Sequence, residues 1–146
     1  MPHPDLTDLD LRIIRHCAAG VDRKDSARLL DVNPARVNMR IRRACRLLGL
    51  PHRQVLLVAH CLRAGLIKPP VCQPVLLAQP LRDVLLLLDA GLSDVEIAAR
   101  VCLSLNGVKS RVAVLLRQLG AVDRTHAVAI GYGMGLLGAE QTESAA

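Results

Sequence analysis

The chain has 146 residues, which fits one domain or two small ones. It is 51% apolar with no Phe, no Trp and one Tyr (Tyr132), so its core is aliphatic, and its net charge of +6 points to an acidic partner such as nucleic acid. No apolar run approaches the roughly 18 residues of a membrane helix, and the acidic start MPHPDLTDLD lacks the apolar stretch of a signal peptide, so no membrane partner is expected.

Long runs of Leu, Ile, Val and Ala with few turn clusters favour helix over strand. The first helix is expected over about 8–19, with Thr7 and Asp10 at capping-box spacing. The second is expected over about 23–31, with Asp22 as N-cap and Asp25 at N3. The third, about 34–48, has Asn33 as N-cap, Pro34 at N1 and Gly49 as its stop. Val37, Ile41, Ala44 and Leu48 make its inner stripe. The same helix carries five arginines, Arg36, Arg40, Arg42, Arg43 and Arg46. A fourth helix is expected over about 52–64. Two or three residues separate the second helix from the third, which is helix-turn-helix spacing.

Next comes KPPVCQPVLLAQP, residues 68–80, with four prolines. Proline disfavours helix before it, so 68–75 reads as a semi-extended linker able to span roughly 25–30 Å. After it the pattern repeats. At a shift of 71, Gly20 falls on Gly91, Ala27 on Ala98, Val37 on Val108, Arg40 on Arg111, Arg46 on Arg117, Leu48-Gly49 on Leu119-Gly120 and Arg53 on Arg124. One residue is then lost, and Val58-Ala59 fall on Val128-Ala129. The second copy predicts helices over about 80–90, 94–102, 105–119 and 124–134. Ser93 with Glu96, Ser104 and Asp123 cap the last three, and Gly120 stops the third. Val108, Val112, Leu115 and Leu119 repeat the inner stripe. The division is then 5–67, the linker 68–75, 76–138, and a small polar tail 139–146 expected to be disordered.

Charge divides the copies. Residues 1–70 hold thirteen Lys and Arg against six acids, or +7; residues 71–146 hold six against seven, or −1. The five cysteines form no CxxC pair and read as reduced, mostly buried thiols of a cytosolic protein. A zinc site from His16, Cys17, His60 and Cys61 is disfavoured, because adjacent residues point to different helix faces. His16, His60 and His126 lie on apolar helices and read as packed side chains. Arginine far outnumbers lysine, as in GC-rich bacterial genomes.

Residues 91–129, GLSDVEIAARVCLSLNGVKSRVAVLLRQLGAVDRTHAVA, resemble the DNA-binding domain of LuxR/GerE-type transcription regulators. The resemblance lies in Gly91, Glu96-Ile97-Ala98, Ser104, Val108-Lys109, Leu119-Gly120 and Arg124-Thr125-His126-Ala127-Val128. The first copy resembles the family more distantly, through LTDLDLRII (residues 6–14), Gly20, Ala27, Val37, Leu48-Gly49 and Arg53. It departs at Asp25-Ser26-Ala27 and at Val37-Asn38, where the family has Glu-Ile-Ala and Val-Lys. The resemblance implies an all-α fold: two tandem four-helix LuxR-type helix-turn-helix domains joined by a Pro-rich linker. It also implies that each third helix enters the major groove. Asn38, Met39 and Arg42, with Arg40, would then face DNA in the first copy, and Lys109, Ser110 and Ala113, with Arg111, in the second. The family's fourth helix is a dimer contact, implying contacts through Val55, Leu56, Ala59 and Leu62 and through Val128 and Tyr132.

The arginine run reads as phosphate or guanine contacts rather than a solvated face, because it lies on the helix that such a fold presents to DNA; not all five can reach, and Arg46, late in the helix, suits backbone phosphate or solvent. Asn38 suits adenine or a plain surface amide. Asn106 joins Lys109, Ser110 and Arg111 as the second copy's DNA residues. Arg53 and Arg124 suit either a phosphate contact or a structural bond to helix ends. Tyr132, among Gly131, Gly133 and Gly135, suits a close helix approach or a loosely held last helix.

No phosphate-binding glycine loop, carboxylate pair or Cys-His-Asp order supports an enzyme, and no cofactor or metal is expected. The expected function is a bacterial, cytoplasmic, nucleoid-associated transcription regulator that binds double-stranded DNA, with a homodimer as a further assembly to be tested. The alternative is a protein-interaction module docking on RNA polymerase, a sigma factor or another regulator.

Overall fold

Thr7 opens the first helix of the computed structural model, which describes residues 5–138. Its hydroxyl accepts from the Asp10 N–H at 3.2 Å, and the Asp10 carboxylate accepts from the Thr7 N–H at 2.9 Å. This capping box starts α1 (Asp8–Ala18). The side chain of Asp22 then caps α2 (Arg23–Leu30), and that of Asn33, followed by Pro34, caps α3 (Pro34–Leu47). After α4 (Gln54–Arg63) the order recurs as α5 (Gln79–Asp89), α6 (Asp94–Val101), α7 (Leu105–Leu119) and α8 (Arg124–Gly133). Lengths of 11, 8, 14 and 10 residues recur as 11, 8, 15 and 10. The described residues are thus all-α, with eight helices and no strand. None of these helices is long and apolar enough to cross a membrane.

The helix starts correct one detail of the repeat. α4 begins at Gln54, two residues later than expected, so Gln54 matches Arg124 and the N-cap Arg53 matches the N-cap Asp123. The residue missing from the second copy therefore comes out of the connection before the fourth helix. Gly49 and Gly120 both turn the chain left-handed, at φ +69° and +67°. Leu50, Pro51 and His52 then precede Arg53, whereas only Ala121 and Val122 precede Asp123. Pro51 delays helix entry, and its carbonyl accepts from the Arg53 N–H at 2.7 Å. Arg53 and Arg124 are not equivalent positions.

Two clusters of aliphatic side chains hold the fold. One joins Ile13, Ile14, Val37, Ile41, Leu57 and Val58; the other joins Val84, Leu85, Ile97, Val108, Leu115 and Val128. Each borrows from the other half. Ala129 of α8 is buried in the first cluster, and its match Ala59 of α4 is buried in the second. α4 packs on α8, while α8 reaches α1 and α4 reaches α5. Exchanging the halves therefore exchanges the contacts, which is the pattern of a two-fold interface made within one chain.

Residues 68–78 form neither helix nor strand. They lie against α8 rather than running free, since a Cβ on Gly133 would collide with the Pro70 carbonyl. Leu77 is buried, and Val71 and Leu76 face solvent. The direct α4–α8 contact, not the reach of this segment, sets how far apart the halves sit. The tail expected to be disordered, 139–146, lies outside the described residues.

Candidate nucleic-acid interface

The inner side of α3 is buried through Val37, Ile41, Ala44 and Cys45. Leu48, read from sequence as the end of that stripe, is instead the half-buried C-cap, and Cys45 takes its place in the core. The outer side carries the five arginines and no acid. A groove of about 760 Å³ runs along it, lined by Asn33, Ala35, Arg36, Met39, Arg40, Arg43 and Arg46.

The five guanidinium groups are not alike. Arg36, Arg42 and Arg46 are exposed, and their side chains make no hydrogen bond or ion pair among the described residues. Arg40 and Arg43 are tied to Asp10 of α1. Arg43 Nη1 lies 3.0 Å from Asp10 Oδ2, and Arg40 Nη1 lies 3.4 Å from Oδ1. Arg43 Nη2 also donates to the Asp5 carbonyl at 3.3 Å. The Asp10 side chain is fully buried, so this pairing offsets the desolvation of a carboxylate. Met39 is 61% exposed between the two sets. Asn38 is exposed, and its side-chain Oδ1 accepts from Arg23 Nη1 at 2.7 Å. Arg23 turns its other nitrogens to Gln54 Oε1, at 3.1 and 3.3 Å.

On α7 the surface changes. Asn106, Lys109 and Ser110 are exposed and Arg111 is half-buried. Gly107, Ala113 and Val114 stand where α3 has Arg36, Arg42 and Arg43. Asp94 occupies the position of Arg23, and its carboxylate pairs with Arg124 Nη1 at 2.5 Å. The bonded Arg124, helped by the charge of Lys109, holds the Asp94 carboxyl below its usual range.

Arg53 and Arg124, the two residues with split sequence readings, are both engaged by protein. Arg53 donates across the halves to the Gly91 carbonyl and approaches Glu96 at 3.9 Å. Gln54 Nε2 meets Thr125 Oγ1 at 3.4 Å nearby. Further along the contact, Tyr132 donates to Asp89 at 2.9 Å, and Arg63 Nη1 donates to the Tyr132 hydroxyl at 2.8 Å and to Asp89 at 3.3 Å. Burial, and then the charge of Asp89, pushes the Tyr132 hydroxyl up to about 12. Of the expected contact residues, Ala59, Val55 and Tyr132 pack across the halves, and Leu56 crosses to touch Gly91. Leu62 and Val128 belong instead to the clusters of their own halves, because they sit on the inward sides of α4 and α8.

Cys17, Cys45 and Cys61 are buried, Cys72 is half-buried and Cys102 is exposed. Burial pushes the Cys17 thiol up to about 11 and that of Cys61 up to about 12. Among the described residues no group of three or more His, Cys, Asp or Glu is placed to hold a metal ion. His16, one of the four residues of the disfavoured zinc set, has Nδ1 at 2.7 Å from the buried Ser26 hydroxyl.

Sequence reasoning missed Asp10 as a partner of two arginines, reading it only as a cap. One signal was present: α5 has Leu81 at that place, so the repeated frame does not ask for a carboxylate there. Arg23, Arg63 and Asp89 were also missed, because their partners lie 15 to 69 residues away in the chain. No protein-family model, curated protein or solved structure matches the chain.

Proposed function

We propose that the chain is a bacterial transcription regulator that binds double-stranded DNA through two tandem LuxR-type helix-turn-helix domains. They comprise residues 5–67 and 76–138, joined by the Pro-rich 68–75. The observation that carries this reading is the outer side of α3. It holds five arginines, no acid and a groove of about 760 Å³, on the second helix of a pair joined by a short turn. Arg36, Arg42 and Arg46 have no competing protein partner among the described residues. They are free to neutralise backbone phosphates or fork onto guanine in the major groove. The exchange-symmetric α4–α8 contact supports the reading: one chain holds two such helices in a fixed relation, as a dimer of single domains would.

The test is a titration of purified chain into labelled duplex DNA over a range of salt concentrations. Binding that weakens linearly in log–log form with salt is expected. Absence of binding at low salt would falsify the reading.

A second reading rests on α7. Ala113 and Val114 are exposed where α3 has arginines, and Val95 and Val122 are 68% and 70% exposed in the same half. A face with so little charge suits a protein partner, such as RNA polymerase, a sigma factor or another regulator. Mobility shifts with and without purified polymerase separate the readings: a supershift that survives loss of the α3 arginines favours docking.

A further inference from the structure

Among the described residues Asp10 is the one buried carboxylate beside the arginine row of α3, and the matching place in the second half manages without it. Leu81 fills that place on α5, and Ala78 stands where Thr7 does. Burying a carboxylate is unfavourable unless it is paired and hydrogen-bonded. Its oxygens accept from the Thr7 N–H, from Arg43 Nη1 and from Arg40 Nη1. Two guanidinium groups are thereby held in place before any ligand arrives.

That order matters for binding an anion. A free arginine must freeze its long side chain when it meets a phosphate, and the lost freedom weakens binding. Arg40 and Arg43 are already fixed, yet each gives Asp10 only its Nη1. Nε and Nη2 of Arg40, and Nε of Arg43, hold no hydrogen bond among the described residues. Both side chains line the groove that Arg36 and Arg46 also line.

We propose that Asp10 is a positioning residue for a phosphate-binding groove on α3, holding Arg40 and Arg43 as its fixed wall. This rests on the DNA-binding reading above. Positioning and bare electrostatics make opposite forecasts. Deleting a negative charge beside a polyanion site should tighten binding if charge alone counts.

The experiment titrates the full chain and its Asp10→Asn variant into a labelled duplex of random sequence at several salt concentrations, with folding checked by circular dichroism and thermal melting. Asp10→Asn is expected to bind about five- to tenfold more weakly despite its extra net positive charge. Asp10→Glu is expected to recover most of the loss. In an Arg40→Ala, Arg43→Ala background, Asp10→Asn is expected to change nothing. Unchanged or tighter binding by folded Asp10→Asn overturns the inference while the DNA reading stands. So does an equal loss in the double-alanine background. If Asp10→Asn does not fold, the charge-preserving Arg40→Lys, Arg43→Lys variant decides: weaker binding supports positioning, and unchanged binding overturns it. A wild-type chain that binds no duplex at any salt removes the DNA reading itself, and the inference falls with it.

Discussion

Arg23 begins α2, and Asp94 begins α6 at the matching position. Around Arg23 lie Asn38 of α3 and Gln54 of α4; around Asp94 lie Lys109 of α7 and Arg124 of α8. The same triangle is built twice, with the sign of its central charge reversed and two neutral amides replaced by two cations. In the first half a half-buried cation bonds neutral amides, and Arg36, Arg42 and Arg46 of α3 stay exposed to solvent. In the second half an anion draws on the nearby cations, and α7 adds Ala113 and Val114 where α3 has Arg42 and Arg43. A shared frame can therefore carry two surfaces of different charge density, because caps and inner stripes set the helices while outer positions are left unconstrained.

The largest effect expected from this contrast is on DNA affinity. Alanine at Arg36, Arg42 and Arg46 should abolish most binding and lower the salt slope by about one unit per lost phosphate contact. Alanine at Lys109, Arg111 and Arg117 of α7 should cost much less in the same anisotropy titration. Equal losses would erase the distinction between the halves.

Next in size are changes at the seam that joins them. Gly20 has φ +80°, and a Cβ there would stand 2.6 Å from His126 Nδ1 of the other half. Gly49 has φ +69° and open space. Gly20→Ala should therefore destabilise the chain by about 2–4 kcal/mol and Gly49→Ala by about 1–2 kcal/mol, as read by denaturant unfolding. A Gly20→Ala chain no less stable than Gly49→Ala would mean that the halves do not press together as described.

The smallest effect expected is that of the Tyr132 hydroxyl. Tyr132→Phe removes its bonds with Asp89 and Arg63 and should cost about 1–2 kcal/mol near neutral pH. Because folding raises its pKa from 10.0 to about 12, its contribution is fully present below pH 10 and is lost as pH rises toward 12. Cys17 and Cys61, also raised, add a loss of the same sign from about pH 9 upward. Wild type should thus lose more stability than Tyr132→Phe between pH 10 and 12, and parallel curves would exclude the hydroxyl's role.

Much of the fold was legible along the chain. Thr7, Asp22, Asn33, Ser93, Ser104 and Asp123 were read as caps, and each accepts a backbone N–H as expected. Such bonds span two or three residues, so spacing alone predicts them. The arginine row was legible as a row but not as two populations. Arg40 and Arg43 differ from Arg36, Arg42 and Arg46 only because α1 brings Asp10 beside them, 30 and 33 residues away. Arg53 was likewise open between DNA and protein until its partner Gly91 appeared across the halves.

Sequence by itself determined the eight helices, most of the inner stripes of α3 and α7 and the lopsided charge, since each depends on residue type and near neighbours. Tertiary structure alone decided which charges stay available, which alanines enter the opposite core and how the halves meet. Those outcomes depend on groups far apart in the chain, whose approach comes from burying aliphatic faces rather than from any local preference of the residues that finally touch.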